Sequence, residues 1–233
     1  MALTEAGLAE SRSRAQALIL AGQVRVDGET VRRPSQRLGS EQRVELAPQR
    51  RWASRGGDKL EPALDHFLID PGGRICADVG ASTGGFTDVL LARGASLVFA
   101  VDVGRGIMDW RLRQDPRVQL MERTNARHLT SYPQPVSLQV VDLSFIGLEK
   151  VLPALRLAAP DSELVALFKP QFQVGRGLVG KGGVVRDPSL TQSAIEDFEH
   201  WCRQSGFEVL GWVPSALAGA DGNQEWLCHL RCR

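Results

Sequence analysis

A mostly parallel, doubly wound α/β sheet preceded by a small α/β module is the fold this sequence predicts. Three observations lead there. From residue 74 onward, short apolar runs alternate with helical stretches, the pattern of strands joined by crossover helices. A glycine-rich turn, Asp78-Val79-Gly80-Ala81-Ser82-Thr83-Gly84-Gly85-Phe86-Thr87, joins the first of those strands to a helix. The first 57 residues have a make-up of their own: ten arginines, no lysine and six acids, a net +4 on a chain whose total is +1.

With 43% hydrophobic and 24% charged residues over 233 positions, the chain is globular and long enough for one medium domain and a small one. No apolar run approaches the roughly 18 residues of a membrane span, and no signal-peptide pattern opens the chain, so the cytoplasm is the expected compartment. Cys76, Cys202, Cys228 and Cys232 form no Cys-x-x-Cys pair. Cys76, in an apolar strand, suits a reduced small hydrophobe. His66, His128, His200 and His229 lie far apart without ligand spacing, so no metal is expected.

The front comes first. Glu10 to Gly22 reads as a helix, with Ser11 as its N-cap and Gly22 ending it. Val24-Arg25-Val26, the turn Asp27-Gly28 and Thr30-Val31 form a hairpin, and Arg43 to Leu46 is another strand. Arg12, Arg14, Arg25, Arg32, Arg33 and Arg37 project from this piece as a phosphate-contacting surface, so its expected partner is a polyanion. Residues 1–46 are the module, 47–54 the linker and 55–233 the body.

In the body, a helix runs from Arg55-Gly56-Gly57-Asp58-Lys59-Leu60 through Phe67, with Leu60, Ala63, Leu64 and Phe67 on one face. Pro71-Gly72-Gly73 stops it. Strand Arg74 to Ala77, the glycine turn, helix Phe86 to Arg93 and strand Leu97 to Val101 follow. Next come a polar helix around Asp109 to Gln114 and strands Val118 to Met121 and Leu138 to Val141. A helix over Leu148 to Ala158, strand Leu164 to Lys169 and helix 189–205 lead to the end. Strands Glu208 to Val213 and Glu225 to Arg231 close the sheet as an antiparallel edge pair.

The turn decides the ligand. No lysine follows its glycines, which excludes a P-loop, and the spacing Gly80-x-x-x-Gly84-Gly85 departs from the dinucleotide pattern. Asp78 before the first glycine would repel a pyrophosphate but suits a ligand with an amino group and a sulfonium. S-adenosylmethionine has those charges. Asp102, at the end of the next strand and about 20 residues past the turn, stands where such folds place a carboxylate on ribose hydroxyls. Asn125, in Asn125-Ala126-Arg127, faces an adenine edge. The glycines leave room for the ligand to approach the backbone.

Asp142 and Lys169 end neighbouring strands, within reach of each other and of that ligand. Lysine is scarce, with only Lys59, Lys150, Lys169 and Lys181 beside 24 arginines. A lysine can lose its proton and an arginine cannot, so these four attract notice.

Arg55-Gly56-Gly57-x-Lys59-Leu60, the turn from Asp78 to Thr87, Val101-Asp102-Val103-Gly104, Asn125-Ala126-Arg127, Asp142-Leu143-Ser144-Phe145-Ile146, Lys169-Pro170-Gln171-Phe172 and Gly182-Gly183-Val184-Val185-Arg186-Asp187 together resemble the TlyA family. Glu10 to Ala15 and Ala21 to Gly28 resemble an S4 RNA-binding module, entered part-way through its first helix and so N-terminally clipped. The resemblance implies an S4-like module joined to an FtsJ-like domain, a Rossmann-like S-adenosylmethionine-dependent methyltransferase fold with an antiparallel edge strand. It implies 2′-O-methylation of a cytidine ribose in ribosomal RNA, with the ribosomal subunit as partner, no membrane, and a monomer.

Carried over position by position, the catalytic Lys-Asp-Lys-Glu set falls on Lys59, Asp142, Lys169 and Glu225. The cofactor falls to Asp78, Gly80, Ala81, Ser82, Thr83, Gly84, Gly85 and Phe86 of the turn, with Asp102, Val103, Asn125 and Asp142. Arg55 joins the RNA-facing arginines. Lys169 is the candidate base for the ribose hydroxyl, oriented by Asp142, while Lys59 and Glu225 fix the hydroxyl and the network. Neutrality is demanding: moving a lysine from ~10.4 to ~7.5 corresponds to about 4 kcal/mol. A charged Lys169 that only stabilises developing alkoxide is the alternative. Three rivals stand beside this reading: a membrane-lytic haemolysin, without a supporting apolar span; a nucleotide-dependent oxidoreductase, against the glycine spacing; and a non-catalytic RNA- or ribosome-binding factor.

Overall fold

The computed structural model describes the chain except for residues 1, 21–23, 32, 37, 40–41, 47–50, 175–178, 181, 220 and 233. It divides into two compact units, residues 1–51 and 52–233.

In the first unit, α1 (Ala2–Glu5) and α2 (Arg12–Leu20) accompany β1 (Val24–Val26), β2 (Glu29–Val31) and β3 (Val44–Leu46). The three strands pair antiparallel in the order β2-β1-β3. Ser11 Oγ accepts from Arg14 N at 3.2 Å, the expected cap on α2; Gly22, expected to end that helix, lies outside the described residues. Asp27 and Gly28 both hold positive φ, 51° and 85°, which matches the right-handed twist of a two-residue hairpin. The Asp27 carboxylate also takes Arg43 N at 2.9 Å and so ties the approach of β3 to the turn. Leu3, Ala15, Leu18 and Val24 form the buried core.

The second unit opens earlier than the helix it leads into. Trp52 and Ser54, read from sequence as linker, belong to it: Trp52 is buried, and Ser54 Oγ caps α3 (Arg55–His66) by accepting from Gly56 N. Then follow β4 (Ile75–Val79), α4 (Gly85–Ala92), β5 (Leu97–Val101), α5 (Trp110–Arg113), β6 (Val118–Met121) and β7 (Leu138–Val141). The chain continues through α6 (Leu152–Ala158), β8 (Glu163–Phe168), α7 (Pro170–Gln173), α8 (Pro188–Gln204), β9 (Phe207–Pro214) and β10 (Trp226–Cys232). The stretch Leu148 to Ala158 was expected as one helix. It splits into a 3₁₀ turn, Leu148–Lys150, and α6, because Pro153 has no N–H and fits only the first turn of a helix.

The seven strands order as β6-β5-β4-β7-β8-β10-β9. All neighbours from β6 to β8 pair parallel; β10 runs antiparallel between β8 and β9. Strand residues alternate between two cores. Ala77, Val79, Phe99 and Val101 face α6 and α8, whereas Cys76, Val98, Ala100 and Val140 face α3, α4 and α5. All four cysteines are free and buried. Burial pushes the Cys76 and Cys202 thiols up to about 12, which leaves them unreactive.

Candidate active site

The connection reverses direction between β4 and β7, and the carboxyl ends of the parallel strands open a crevice there. Along that edge the chain sets out a row in sheet order. Asn125 follows β6, Asp102 follows β5, Gly80 follows β4, Asp142 follows β7 and Lys169 follows β8. Glu225 completes it, since β10 is antiparallel and starts where its neighbours finish: Trp226 pairs with Phe168, next to Lys169. Lys59 is the one member from a helix.

The charged residues of the row form two ion pairs. Lys59 Nζ lies 2.5 Å from Glu225 Oε2, both side chains nearly enclosed. Lys169 Nζ lies 2.6 Å from Asp142 Oδ1 and donates to Ser144 Oγ at 3.2 Å. Lys59, Lys169 and Glu225 are buried, and Asp142 is half-buried. Burying charge without a partner is costly, so the pairing keeps these groups in the interior.

Local structure explains how each arrives. The first turn of α3 lies close against the start of α4. A Cβ on Gly57 would collide with the Trp52 ring, and one on Gly85 with Ser54 Oγ. That approach brings Lys59, on the inner face of α3, down to Glu225. Asp88 of α4 braces the same junction, taking Ala53 N at 2.9 Å and the Arg111 guanidinium at 2.7 Å. Glu225 is held by its own loop. A Cβ on Gly219 would strike the Glu225 carboxylate, and buried Asn223 bonds Val185 N and Gly183 O, both at 2.9 Å.

Asp142 of the second pair lines a cavity of about 500 Å³, within the range of small-molecule sites. Six of the residues assigned to the cofactor line it: Gly80, Ser82, Asp102, Val103, Asn125 and Asp142. The other six, Asp78, Ala81, Thr83, Gly84, Gly85 and Phe86, are not among its walls. Asp102 is committed to the backbone: Oδ2 accepts from Ser82 N and Oδ1 from Gly104 N, each at 2.7 Å. It therefore shapes the loops around the cavity as well as its charge. Asn125 Oδ1 accepts from Arg127 N at 3.1 Å, which leaves its amide NH₂ for a ligand.

Asp78 does something other than face the cavity. It is 1% exposed, and its Oδ2 accepts from Thr87 N at 2.8 Å and Thr87 Oγ1 at 2.6 Å, clamping the first turn of α4 onto the end of β4. Oδ1 has no hydrogen-bond partner. Burial pushes its carboxyl up to about 7, the Thr87 bonds oppose that, and the charges of Asp142 and Asp102 add to it. The glycines likewise make room for protein. At Gly80, φ is 88° and a Cβ would collide with the Asp142 carbonyl oxygen; at Gly84, φ is 93° and a Cβ would meet Leu112.

A cationic ligand fits this environment. Asp102 and Asp142 line the cavity, Asp78 lies behind it with an orphaned oxygen, and only Asp142 of the three has a lysine partner among the described residues.

Of the arginines assigned to RNA, Arg12, Arg14, Arg33 and Arg55 are exposed and Arg25 is half-buried on β1. Arg32, and Arg37 with it, lie outside the described residues. Sequence reasoning assigned no role to two residues that stand at the pairs. Ser144 reaches Lys169, and Phe145, 91% exposed with φ of 66°, lines the cavity mouth. A bulky residue with positive φ is a genuine outlier, but φ is invisible in a sequence. Both sit in the Asp142 to Ile146 motif, which was the available signal.

Comparison with known proteins agrees with the geometry. A family model for FtsJ-like methyltransferases matches residues 52–232, and one for the S4 domain matches residues 1–44. The 16S/23S rRNA (cytidine-2′-O)-methyltransferase TlyA of Mycobacterium tuberculosis is 47% identical over 234 residues, covering 98% of this chain and 87% of that protein. A solved structure of a candidate hemolysin from Streptococcus thermophilus is 40% identical, with a TM-score of 0.75 over 99% of this chain and 86% of that one. An S-adenosylmethionine-dependent methyltransferase from Mesorhizobium loti, 18% identical, shares the fold alone, with a TM-score of 0.51 over 73% of this chain and 96% of that one.

Proposed function

Because this chain belongs to the TlyA family of FtsJ-like methyltransferases, with an S4 domain at its front, we propose that it transfers a methyl group from S-adenosylmethionine to the 2′-hydroxyl of a cytidine in ribosomal RNA. The observation that carries this reading is the Lys169–Asp142 ion pair at a cavity lined by carboxylates, with the buried Lys59–Glu225 pair at the next strand along the same sheet edge.

S-adenosylmethionine, when bound, supplies a methyl carbon on a positively charged sulfur. The protein holds it by charge and shape. Asp102 and Asn125, in the cavity wall, would hold the ribose and base ends, and the Gly80 turn and Asp142 would border the sulfonium end. A ribose hydroxyl is a weak nucleophile, so its proton must leave as the oxygen attacks. Lys169 stands next to where that hydroxyl must come, with Asp142 fixing the direction of its amine. Lys59 and Glu225 hold each other at the next strand along, and we assign them to fixing the hydroxyl and the network. The S4 module contributes an arginine surface to RNA phosphates, and the 2′-hydroxyl itself marks the substrate as RNA.

The test is labelled-methyl transfer to separated ribosomal subunits, naked ribosomal RNA and assembled ribosomes, followed by mapping of the modified ribose. Lys169→Ala is expected to lose transfer by several orders of magnitude while S-adenosylmethionine still binds. Normal turnover in that variant removes Lys169 from the mechanism; no transfer by the wild-type chain to any of the substrates removes the function.

A further inference from the structure

Lys169 Nζ has two acceptors, and the second, Ser144 Oγ, lies outside the four residues assigned to the reaction. The loop that bears Ser144 is tied to the segment that follows Lys169. Phe145, next along, is held in the left-handed region at φ 66°, a conformation that persists only where its surroundings impose it. Its ring meets Phe172 at 5.4 Å. Phe172 belongs to α7, which begins directly after Lys169, and its N–H donates to the Lys169 carbonyl at 2.9 Å. From the same helix Gln173, with its amide oriented to suit its neighbours, donates to the Glu149 carboxylate at 2.8 Å and accepts from Leu148 N at 3.1 Å. The loop after β7 is thus pinned at two points to the helix after β8, with Ser144 and the lysine between.

We propose that Ser144 is a positioning residue that aims the Lys169 amine at the ribose hydroxyl. The proposal rests on the ribose-methylation reading and adds to it a fifth residue. An amine nitrogen has three tetrahedral positions besides its carbon. Asp142 and Ser144 each take one as hydrogen-bond acceptors. The third belongs to the substrate, as a lone pair when the lysine is neutral and as the last N–H when it is charged. With both acceptors in place the third position points one way; with Asp142 alone it sweeps a cone about the remaining hydrogen bond. In the neutral case the hydroxyl proton passes to the Nζ lone pair as the ribose oxygen bonds the methyl carbon and the carbon–sulfur bonding pair goes to sulfur. The ammonium so formed then gives its proton to water.

The experiment compares the full-length wild-type chain with Ser144→Ala and Ser144→Thr. It measures methyl transfer to ribosomal RNA, the S-adenosylmethionine dissociation constant by calorimetry, and thermal unfolding. For Ser144→Ala the expected result is a fall in kcat of about tenfold or more, with KM for RNA, cofactor affinity and melting temperature within error of wild type. Ser144→Thr keeps the hydroxyl and should recover most of kcat. A readout without turnover is the rate at which an acylating reagent labels Lys169, followed by mass spectrometry; it should rise in Ser144→Ala and stay at the wild-type rate in Ser144→Thr. Wild-type kcat and labelling in Ser144→Ala, equal losses in both variants, or a loss confined to KM overturn the proposal. Absence of ribose methylation by the wild-type chain overturns the underlying reading instead, and the proposal with it.

Discussion

Asp78 is ionised at some cost in the folded protein. Its buried carboxyl has one oxygen satisfied by Thr87 and one left alone, and burial lifts it from its ordinary range to about 7. The unfolded chain holds that proton only below the ordinary carboxylate range, so between roughly pH 4 and pH 7 the native state binds more protons than the unfolded one. Stability from this group therefore falls as pH rises through that window, by at most about 1.4 kcal/mol per pH unit. The check is denaturant unfolding of the ligand-free protein from pH 5 to pH 8, where Asp78→Asn should flatten the decline. Addition of S-adenosylmethionine should also release protons in the same window, which calorimetry in buffers of different ionisation heat detects. Asp102 predicts a separate outcome. Since its carboxylate both lines the cavity and holds Ser82 N and Gly104 N, Asp102→Ala should weaken cofactor binding about tenfold or more. An unchanged dissociation constant would show that Asp102 serves the loops alone.

At the scale of elements, the junction of α3 and α4 is the part most exposed to small changes. Gly85 has no room for a methyl group because Ser54 and the first turn of α3 occupy the space. Gly85→Ala should cost about 1–3 kcal/mol by overpacking and displace Lys59 from Glu225, lowering turnover further than stability alone explains. Urea unfolding together with kcat separates the two effects. In the S4 unit, Arg14 and Arg33 are exposed on a fold whose core is only a few residues deep. Replacing either with alanine should leave folding intact, weaken RNA binding, and reduce the slope of log K against log salt by about 1 if it meets a phosphate. An unaltered slope would place that arginine away from the RNA.

Across the whole molecule, the order of strands decides where chemistry can happen. Asn125, Asp102, Gly80, Asp142, Lys169 and Glu225 come from six separated regions of the chain, and the sheet sets them along one edge in the order of its strands. The residues of that row that line the cavity occupy one half of the edge and the ion pairs the other, with Asp142 common to both. The strands β5, β6 and β7 were legible in the sequence to the residue, because apolar runs with flanking turn residues mark buried parallel strands directly. So was the closeness of Asp142 and Lys169, which end neighbouring strands. The meaning of the glycine turn was not legible. A glycine announces that a side chain is excluded and is silent on what excludes it; here that is the Asp142 carbonyl, Leu112 and Ser54. Asp78 escaped for a related reason: a carboxylate before a turn reads alike whether it meets a ligand or the helix that follows.

What the amino-acid order determined unaided was the alternation of strands and helices, the two-part division of charge, and which side chains are chemically able to move a proton or hold a cation. These follow from local periodicity and residue type, which need no knowledge of distant neighbours. Only the tertiary structure decided that the four charged residues stand as two separate ion pairs, that Asp78 clamps α4, and that Ser144 shares Lys169 with Asp142. Each of those is a contact of a few ångströms, and contacts at that range are set by register, crossing and packing between elements rather than by the residues on either side in the chain.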